Sequence, residues 1–431
     1  MNYNNVLDYL YNRLPMYQRI GATAYKNNLD NTIFLDEKYG SPHQKFKTIH
    51  VAGTNGKGSV SHILASVFQA AGYKTGLYTS PHLKDFRERI KINGEMIPEP
   101  RIVDWTQKFL ISNEKWKIEP SFFELTVALA FNYFAEENVD IVIVEVGLGG
   151  RLDSTNIISP ELSIITNIGI DHTALLGNTL EKIAYEKAGI IKRKTPVVIG
   201  TTQPETENVF SEIAAVNKAP LFFADREFKI PYSTIDLQGE QVFYVEKNGK
   251  NVYPDLKLDL TGTYQQKNIP AVLKSVELMQ ENGWDISGKA LYSGFSDTIK
   301  NTGLMGRWQT ISYNPKIICD IGHNADGIKQ VVSQINKTPY KNLHVVFGAV
   351  NDKDIHHILA LLPKKASYYF TKANIPRALN EQELLTLAGQ YELKGKSYVS
   401  VSEALDAAKK NAEKDDLIFA GGSTFIVAEV L

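Results

Sequence analysis

A glycine-rich stretch around one lysine is the part of this 431-residue sequence best suited to hold a phosphate group. Residues 50–59 read His-Val-Ala-Gly-Thr-Asn-Gly-Lys-Gly-Ser, after an apolar run at 47–51 and before helically spaced apolar residues at 60–68. This order predicts a strand, a tight loop and the start of a helix. Glycines in the loop let backbone N–H groups approach an anion, and Lys57 adds a full positive charge. We therefore predict that phosphate binds in this loop.

The loop departs at two places from the general phosphate-binding pattern, which has a glycine, four variable residues, Gly-Lys and then Ser or Thr. Val51 stands at the first glycine position, and the hydroxyl of Ser59 comes one residue late. The alternative interpretation is a glycine-rich turn with a solvated lysine. The strand predicted before the loop and the helix predicted after it favour phosphate binding.

Polar side chains follow three other predicted strands at the points where those strands end. Ser80 follows the first, Glu145 ends the second, and His172 follows the third. Ligands bind at the carboxyl ends of parallel strands, so we expect these groups and Ser59 at one edge of a sheet. Magnesium carried by a triphosphate needs few protein ligands, and Glu145 with His172 could supply them. For Glu145 alone, a carboxylate that caps neighbouring amides is the alternative.

Further candidate groups lie outside these strand ends. Lys187 is on a predicted helix at 179–190, where a lone lysine is usually solvated surface. Asp320 and His323 flank the turn after a predicted buried strand, and Arg307 comes just after a predicted linker. Each of these three has a structural alternative. Their concentration beyond the linker predicts that they face a cleft between two domains.

Two charged features have structural explanations that compete with functional ones. The segment 84–92 carries four basic residues against two acids, which fits a solvated loop and hairpin as well as a loop that contacts an anionic substrate. Ser121 with Glu124 three residues later is a capping-box pattern. We therefore interpret Glu124 as a helix cap.

The alternation of strands and helices predicts an α/β protein of two domains. The first domain, residues 1–300, holds a doubly wound sheet around the phosphate loop, with an antiparallel addition near 221–260. Residues 301–306 contain two glycines and no clear period, so they are the predicted linker. A smaller Rossmann-like α/β domain is predicted at 307–431. Its strands are expected at 317–321, 344–347, 368–371 and 417–420, and one or two amphipathic helices are expected within residues 1–40.

Composition favours a globular protein that handles small molecules. Hydrophobic residues make up 43% and charged residues 22% of the chain, and the formal net charge is −1. A dedicated nucleic-acid or anionic-membrane binder would usually be strongly basic. Apolar runs are shorter than the roughly 18 residues of a membrane helix, and the N-terminus lacks the pattern of a secretory signal. The single cysteine, Cys319, is expected in a buried strand, and we expect a cytoplasmic protein.

Motifs spread over almost the whole chain carry a family resemblance. They are the loop at 53–59, Ser-Pro-His-Leu at 80–83, Glu-Val-Gly-Leu-Gly-Gly-Arg-Leu-Asp-Ser-Thr-Asn at 145–156, Asp-His at 171–172, Glu-Lys-Ala-Gly-Ile-Ile-Lys at 186–192, Gly-Thr-Tyr-Gln at 262–265 with Asn268, Asp-Ile-Gly-His-Asn at 320–324, and Gly-Ser-Thr-Phe-Ile-Val-Ala-Glu-Val at 422–430. Together, and in this order, they resemble folylpolyglutamate synthase, including its bifunctional dihydrofolate synthase form, within the Mur ligase superfamily.

The resemblance implies a P-loop Mur-ligase-like ATPase domain and ATP-dependent amide formation. A carboxylate on a folate or on dihydropteroate would take the γ-phosphoryl group of ATP, and the amine of L-glutamate would then displace phosphate. The resemblance also implies Mg²⁺, a carbamylated lysine at Lys187 and a monomer. The nucleotide-binding residues that it implies are Gly53, Thr54, Asn55, Gly56, Lys57, Gly58, Ser59, Asn268, Arg307 and Asp320. The metal ligands are Ser80, Glu145 and His172, and the catalytic residues are Lys57, His172, Lys187, Asp320 and His323.

Two motifs depart from the family pattern. The second-domain motif usually reads Asp-Gly-Ala-His-Asn-Pro; here residues 321, 322 and 325 differ, whereas Asp320, His323 and Asn324 are kept. Many members have Gly-x-His-Gln or Gly-Asp-Tyr-Gln where this chain has Gly-Thr-Tyr-Gln. We therefore expect Tyr264 to pack near the nucleotide base differently from the corresponding residue of those members.

Three other functions fit parts of the sequence. A Mur-type ligase of peptidoglycan precursors is the strongest rival. A GTPase or small-molecule kinase is disfavoured because Asn-Asp-Lys-Asp at 351–354 is not the Asn-Lys-x-Asp signature that reads guanine. An inactive nucleotide-binding protein is disfavoured because Lys57, Glu145, His172 and Lys187 are all present.

Overall fold

The computed structural model describes residues 1–16, 21, 26, 28–237, 239–351 and 354–431, which form two compact units. The first unit holds Met1–Asp259 and Gln265–Gly303, and the second holds Leu260–Tyr264 and Leu304–Leu431. The chain therefore enters the second unit briefly, returns to the first, and leaves it again after Gly303. The predicted N-terminal helices and the 351–354 tetrapeptide lie partly outside the described residues.

A mostly parallel sheet forms the centre of the first unit. Its strands lie in the order β4-β3-β2-β5-β1-β6-β7-β8, with the neighbours from β2 to β8 parallel and the β2–β3 and β3–β4 pairs antiparallel. In chain order they are β1 (Lys47–Ala52), β2 (Thr75–Tyr78), β3 (Ile90–Ile92), β4 (Glu95–Met96), β5 (Ile141–Glu145), β6 (Leu162–Ile165), β7 (Val197–Ile199) and β8 (Leu221–Phe223). The β-branched β5 is buried along its whole length. The predicted doubly wound sheet is confirmed, and the carboxyl ends of β2, β5, β1 and β6 are neighbours.

Helices connect and cover these strands. They are α1 (Tyr3–Asp8), α2 (Asp30–Lys38), α3 (Lys57–Ala70), α4 (Glu99–Trp116), α5 (Phe122–Glu136), α6 (Thr173–Leu176), α7 (Leu180–Ala188), α8 (Pro204–Asn217), α9 (Ala224–Glu227), α10 (Ile269–Glu281), α11 (Gly288–Ser296) and α12 (Thr298–Thr302). A π-helical turn covers Tyr9–Arg13, and 3₁₀ turns cover Pro42–Gln44, Phe86–Arg89, Ser154–Ile157 and Thr263–Lys267. The capping box of α5 is confirmed, because Ser121 and Glu124 each bond the other's backbone N–H.

Short antiparallel strands follow the large sheet in the chain. They are β9 (Phe228–Lys229), β10 (Ser233–Ile235), β11 (Gln241–Phe243), β12 (Glu246–Lys247), β13 (Lys250–Asn251) and β14 (Leu256–Leu258), in the orders β10-β11-β14 and β13-β12-β9. The predicted addition is therefore present, but its start at 221 is wrong. Residues 221–223 form β8, which pairs in parallel with β7 at the edge of the large sheet.

The second unit holds another mostly parallel sheet, in the order β15-β16-β20-β17-β18-β19. Its strands are β15 (Gln309–Tyr313), β16 (Lys316–Asp320), β17 (Leu343–Phe347), β18 (Ser367–Phe370), β19 (Gly395–Ser397) and β20 (Leu417–Gly421). Its helices are α13 (Ala325–Lys337), α14 (Ile355–Leu361), α15 (Glu381–Gly389), α16 (Val401–Asn411) and α17 (Thr424–Val430). Cys319 is fully buried in β16, as predicted. The edge strands β15 and β19 were not predicted, because their half-exposed or polar residues carry little apolar signal.

The region between the units is more ordered than its glycines suggest. Asn301 and Thr302 finish α12, and Gly303 ends that helix in the left-handed conformation with φ 65°. The predicted linker therefore starts too early. Among the described residues, the structure contains no helix long and apolar enough to span a bilayer.

Candidate active site

The phosphate loop joins β1 to α3 and depends on two glycines. Gly53 has φ 145° and Gly56 has φ 84°, conformations that side-chain-bearing residues rarely adopt. A Cβ on Gly53 would lie 1.8 Å from Thr166 Oγ1, and one on Gly56 would lie 2.2 Å from Asn268 Oδ1. The helix begins at Lys57, so its first N–H groups face the loop. The predicted strand, loop and helix are confirmed in this order.

Residues that follow β6 hold one side of this loop. The backbone N–H of Asn55 donates to Asn167 Oδ1 at 3.0 Å, and Asn167 Nδ2 donates back to Asn55 O at 2.9 Å. Thr166 Oγ1 donates to the same carbonyl at 2.6 Å. Thr54 Oγ1 accepts from the N–H of Gly169 at 2.9 Å. These bonds fix the backbone of the loop, and a preorganised loop lowers the entropy cost of binding.

The segment that contains Asn268 holds the loop from another side. Gln265 Nε2 donates to Ser59 Oγ at 3.2 Å, and Asn268 Nδ2 donates to Gln265 Oε1 at 2.7 Å. Gln265 and Asn268 are both buried. The amide oxygen of Asn268 then lies against Gly56. The structure therefore brings the predicted Asn268 and Ser59 together with the loop, through a glutamine to which the sequence analysis assigned no role.

Lys187 is buried against the phosphate loop, so its interpretation as solvated surface is wrong. Its side chain is 4% exposed, and Nζ donates to Gly53 O at 2.9 Å. Burial lowers the pKa of Lys187 to about 7, helped by the charge of Lys57, while Asp171 and Asp153 oppose the shift. Lys57 Nζ donates to Gly53 O at 3.1 Å and to Thr54 O at 3.3 Å. Two lysine amines therefore share one loop carbonyl.

The position of Lys187 depends on close backbone packing between its helix and the glycine-rich loop after β5. A Cβ on Gly150 would lie 2.8 Å from Lys187 O, and one on Gly189 would lie 2.3 Å from Arg151 Cα. The N–H of Arg151 donates to Glu186 O at 2.8 Å, and its guanidinium pairs with the Glu186 carboxylate at 2.9 Å. The glycines of these two motifs therefore let α7 approach the loop closely enough to bury its lysine.

Glu145 and Ser80 lie side by side at the ends of β5 and β2. The backbone N–H of Ser80 donates to Glu145 Oε2 at 3.3 Å, and Glu145 is buried. His172 is the N-cap residue just before α6, with φ 51°, and its Nε2 lies 3.8 Å from Asp171 Oδ1. Across the described residues, no cluster of three or more His, Cys, Asp and Glu side chains could hold a metal ion. The predicted set contains only two such residues and a hydroxyl, so its role as a metal site stays a prediction.

A buried chain of polar groups supports the loop that follows Glu145. Asp153 accepts from the N–H of Leu148 at 2.8 Å and from Thr155 Oγ1 at 2.5 Å. His50 Nε2 lies 2.8 Å from the same Thr155 hydroxyl. Burial lowers the pKa of His50 to about 3, with a smaller contribution from the charge of Lys192, so the imidazole is neutral near pH 7. The histidine of the 50–59 stretch is therefore a structural support beneath the site.

The basic segment at 84–92 is not the solvated loop that was one of its two interpretations. Arg89 is buried, its Nε donates to His82 Nδ1 at 2.8 Å, and its guanidinium lies 5.1 Å from the centre of the Phe122 ring. Lys91 is also buried, and its Nζ donates to Thr302 O at 2.7 Å. Arg87 is half-buried and pairs with Asp85 at 2.6 Å, so the side chains of three of the four basic residues in this segment have partners within the protein, whereas Lys84 is exposed.

The second unit groups Asp320, Arg307 and His323 around the end of β16. Asp320 is buried; burial raises the pKa of its carboxyl, while hydrogen bonds from Tyr264 and Gly322 and the charge of Arg307 oppose the rise. The ring Nδ1 of His323 lies 3.0 Å from Ile321 O. These predicted residues therefore share one part of the second unit.

Comparison with known proteins identifies the family. The Mur ligase middle domain matches residues 51–276, and the Mur ligase glutamate ligase domain matches residues 306–424. The dihydrofolate synthase/folylpolyglutamate synthase of Bacillus subtilis is 34% identical over 99% of this chain and 98% of its own length. The chain belongs to the Mur ligase family. Within it, the folylpolyglutamate and dihydrofolate synthases are the group that it resembles, as the sequence analysis predicted.

Other relatives extend this comparison. A probable bifunctional folylpolyglutamate synthase/dihydropteroate synthase of Haloferax volcanii is 31% identical over the whole chain, which spans 50% of that longer protein. The structure of Escherichia coli FolC in complex with DHPP and ADP has a TM-score of 0.85 at 30% identity and covers 100% of this chain and 97% of the other. A Yersinia pestis structure with AMPPNP and Mn ion has a TM-score of 0.83 at 26% identity, covering 100% and 97%.

Several supporting residues of this Mur ligase were missed from the sequence. Asp153 and Gln265 lie inside motifs that were recognised, but they were given no role. Asp171 precedes the predicted His172 and acts on the charge of Lys187. Each of the three acts on a residue that was predicted. Asp153 and Asp171 act on the charge of Lys187, and Gln265 bonds Ser59 and Asn268. Their positions inside the recognised motifs are the signal that could have found them.

We predict that Gly53→Ala will damage this ligase more than a glycine replacement elsewhere in the same unit. The added methyl group would collide with Thr166 Oγ1 in a backbone conformation that alanine rarely adopts. The expected result is a melting temperature lower by several degrees and turnover reduced at least about a hundredfold. Gly288→Ala is the matched control, because its Cβ would meet open space. Equal melting and activity in the two variants would contradict the prediction.

Proposed function

We propose that this ligase joins the amine of L-glutamate to a carboxylate of a folate or of dihydropteroate, with ATP as phosphoryl donor and an acyl phosphate as intermediate. The observation that carries the proposal is the surroundings of Lys187. Its amine bonds the phosphate loop, and Lys57, Asp171 and Asp153 are close enough to shift its pKa. Four motifs that are far apart in sequence thus meet at one buried amine. The names of the relatives supply the substrate class.

In this chemistry, the protein stabilises negative charge and orients the reacting groups. In the first step a carboxylate oxygen bonds to the γ-phosphorus, and the bond to the bridging oxygen breaks so that ADP leaves. The glutamate nitrogen then attacks the acyl carbon, inorganic phosphate leaves, and the nitrogen loses a proton. Lys57 and the N-terminal N–H groups of α3 stabilise the negative charge of the phosphate in both steps. Their fixed positions mean that little reorganisation is needed during reaction.

Magnesium fits the hard donors at the strand ends. We propose that Glu145, Ser80 and His172 hold it; the 3.3 Å hydrogen bond from the backbone N–H of Ser80 to Glu145 Oε2 supports the nearness of the first two residues. A magnesium ion held by these residues would offset the negative charge of the phosphate oxygens. The Mn ion and AMPPNP of the Yersinia pestis relative support a divalent metal beside the nucleotide.

We propose further that Lys187 is carbamylated. A pKa of about 7 leaves a large fraction of this amine neutral near neutral pH, and a neutral amine can combine with carbon dioxide and release a proton. The product is a carboxylate analogue. It would replace the repulsion between two cations with an attraction to Lys57 and would add an oxygen donor beside the phosphate loop.

Further parts of the proposal concern the other predicted residues and the state of the protein. We propose that Asn268, Arg307 and Asp320 contact the nucleotide and that His323 contacts the incoming amino acid. The position of Asn268 against Gly56 supports the first of these roles. We also propose a cytoplasmic monomer. The buried Cys319, which has no disulfide, supports a reducing compartment.

Release of ADP tests the proposed reaction directly. Purified protein is incubated with ATP and Mg²⁺ and either tetrahydrofolate or dihydropteroate, each with and without L-glutamate. We expect sustained ADP release only when an acceptor and glutamate are both present, and mass spectrometry of the product separates the two acceptors. Release that requires a UDP-muramoyl substrate would favour the peptidoglycan alternative. Nucleotide binding without turnover on any acceptor would favour the inactive alternative.

A further inference from the structure

The residues from Thr261 to Thr263 are fastened to a helix of the second unit by one glutamine. Gln334, buried on α13, donates through Nε2 to Thr261 O at 2.9 Å. Its Oε1 accepts from the N–H of Thr263 at 2.7 Å and from Thr263 Oγ1 at 3.1 Å. Both ends of the amide are therefore used to fix the backbone just before Tyr264.

Tyr264 directs its hydroxyl at Asp320. Tyr264 OH donates to Asp320 Oδ2 at 2.6 Å, at the short end of the range for O–H···O hydrogen bonds. The ring lies over Gly262, where an added Cβ would be 2.6 Å from Tyr264 Cζ. The glycine and the tyrosine of this motif therefore depend on each other, because Gly262 leaves the space that the Tyr264 ring occupies when its hydroxyl reaches the carboxylate.

Asp320 in turn holds the backbone beside Arg307. The N–H of Trp308 donates to Asp320 Oδ2 at 2.8 Å, and that of Gly322 donates to Oδ1 at 2.8 Å. Trp308 has φ 49°, a conformation that costs energy in a residue with a side chain. Its bond to Asp320 helps to keep it there. The orientation of the Asp320 carboxylate therefore controls the path of the chain from Gly306 to Trp308.

The next side chain in the sequence braces the phosphate loop. Gln265 Nε2 donates to Ser59 Oγ, and Gln265 Oε1 accepts from Asn268. The side chains of two consecutive residues therefore bond to different motifs. Tyr264 bonds to Asp320 in the second unit, and Gln265 bonds to the phosphate loop in the first. One peptide bond separates these two anchors.

We propose that Tyr264 is a positioning residue, whose hydroxyl fixes the Asp320 carboxylate and, through it, the Arg307 backbone for the ligation reaction. This inference rests on the proposed function, because it deepens the roles given there to Asp320 and Arg307. The competing explanation is that Tyr264 acts only by packing, since its ring also contacts the apolar core of the second unit. The two explanations differ in the hydroxyl, which packing does not require.

The test is Tyr264→Phe, which keeps the ring and removes the hydroxyl. We expect a fold and melting temperature close to those of the wild type, kcat/KM for ATP or glutamate reduced about tenfold or more, and an unchanged KM for the folate. Tyr340→Phe is the control, since Tyr340 also packs against the core of the second unit, whereas the described donors to the Asp320 carboxylate are Tyr264, Trp308 and Gly322. If Tyr264→Phe matches Tyr340→Phe within twofold in every constant, the proposal is wrong.

A further variant keeps the test decisive. In a double-mutant cycle, Tyr264→Phe should add little to Asp320→Ala, because either change alone removes the bond between the two side chains. Additive losses would mean that Tyr264 acts independently. Wild-type ADP release in the same assays separates failure of this inference from failure of the proposed reaction.

Discussion

Replacement of Lys57 by alanine is expected to lower turnover by about a thousandfold or more. Its amine is held over the phosphate loop by Gly53 O and Thr54 O, where it can meet the phosphate charge that moves during transfer. The backbone N–H groups of α3 would still attract phosphate, so we expect a larger loss in kcat than in nucleotide affinity. Steady-state ADP release, with nucleotide binding measured by calorimetry, separates these two quantities.

A control must separate this loss from unfolding. Lys57 makes two hydrogen bonds to loop carbonyls, so its removal is expected to cost only about 1–3 kcal/mol of stability. Lys108→Ala is the matched control, because that lysine is exposed on α4 and forms a surface pair with Asp104 at 2.7 Å. We expect this variant to keep wild-type activity. Activity of Lys57→Ala within a few-fold of wild type would remove the phosphate-loop assignment.

The parts of the site that follow one local pattern were predictable from sequence. The run before the glycines predicted β1, and the apolar spacing after them predicted α3, because a strand and a helix each have their own period. The neighbourhood of Ser80 and Glu145 was also predictable. Both residues end buried strands, and the carboxyl ends of parallel strands meet at one edge of the sheet. The rule that carboxyl ends of parallel strands meet at one edge was the long-range information that this prediction needed.

The burial of Lys187 could not be predicted in this way. Its helix has an ordinary pattern, and a lysine within it is normally solvated. Burial arises from Gly150 and Gly189, which let two backbones approach, and from a carbonyl of a loop more than a hundred residues away. The same holds for Tyr264, whose partner is distant in sequence. Side-chain roles that depend on two distant segments leave no periodic signal in either of them.

Replacement of Lys187 by methionine is expected to reduce turnover at least about a hundredfold. Methionine keeps much of the volume, so the loss would report the amine rather than a cavity. Gly53 O would still accept from Lys57, which limits damage to the loop. Lys182→Met is the matched control, because Lys182 is exposed on the same helix. Steady-state ADP release compares the two variants, and comparable activity in both would show that the buried amine has no part in the reaction.

The pH dependence of the wild-type enzyme follows from the same amine. Burial and the charge of Lys57 hold the pKa of Lys187 at about 7, so the amine is neutral above this pH and charged below it. Only the neutral form can take up carbon dioxide, and we therefore expect activity to fall as the pH drops through about 7 and to fall further in buffer freed of carbon dioxide. Labelled bicarbonate should give a carbamate signal by ¹³C NMR in the wild type and in Lys182→Met, but not in Lys187→Met. Full activity without carbon dioxide would exclude the carbamate while leaving a role for the amine, because a neutral amine can still donate to Gly53 O.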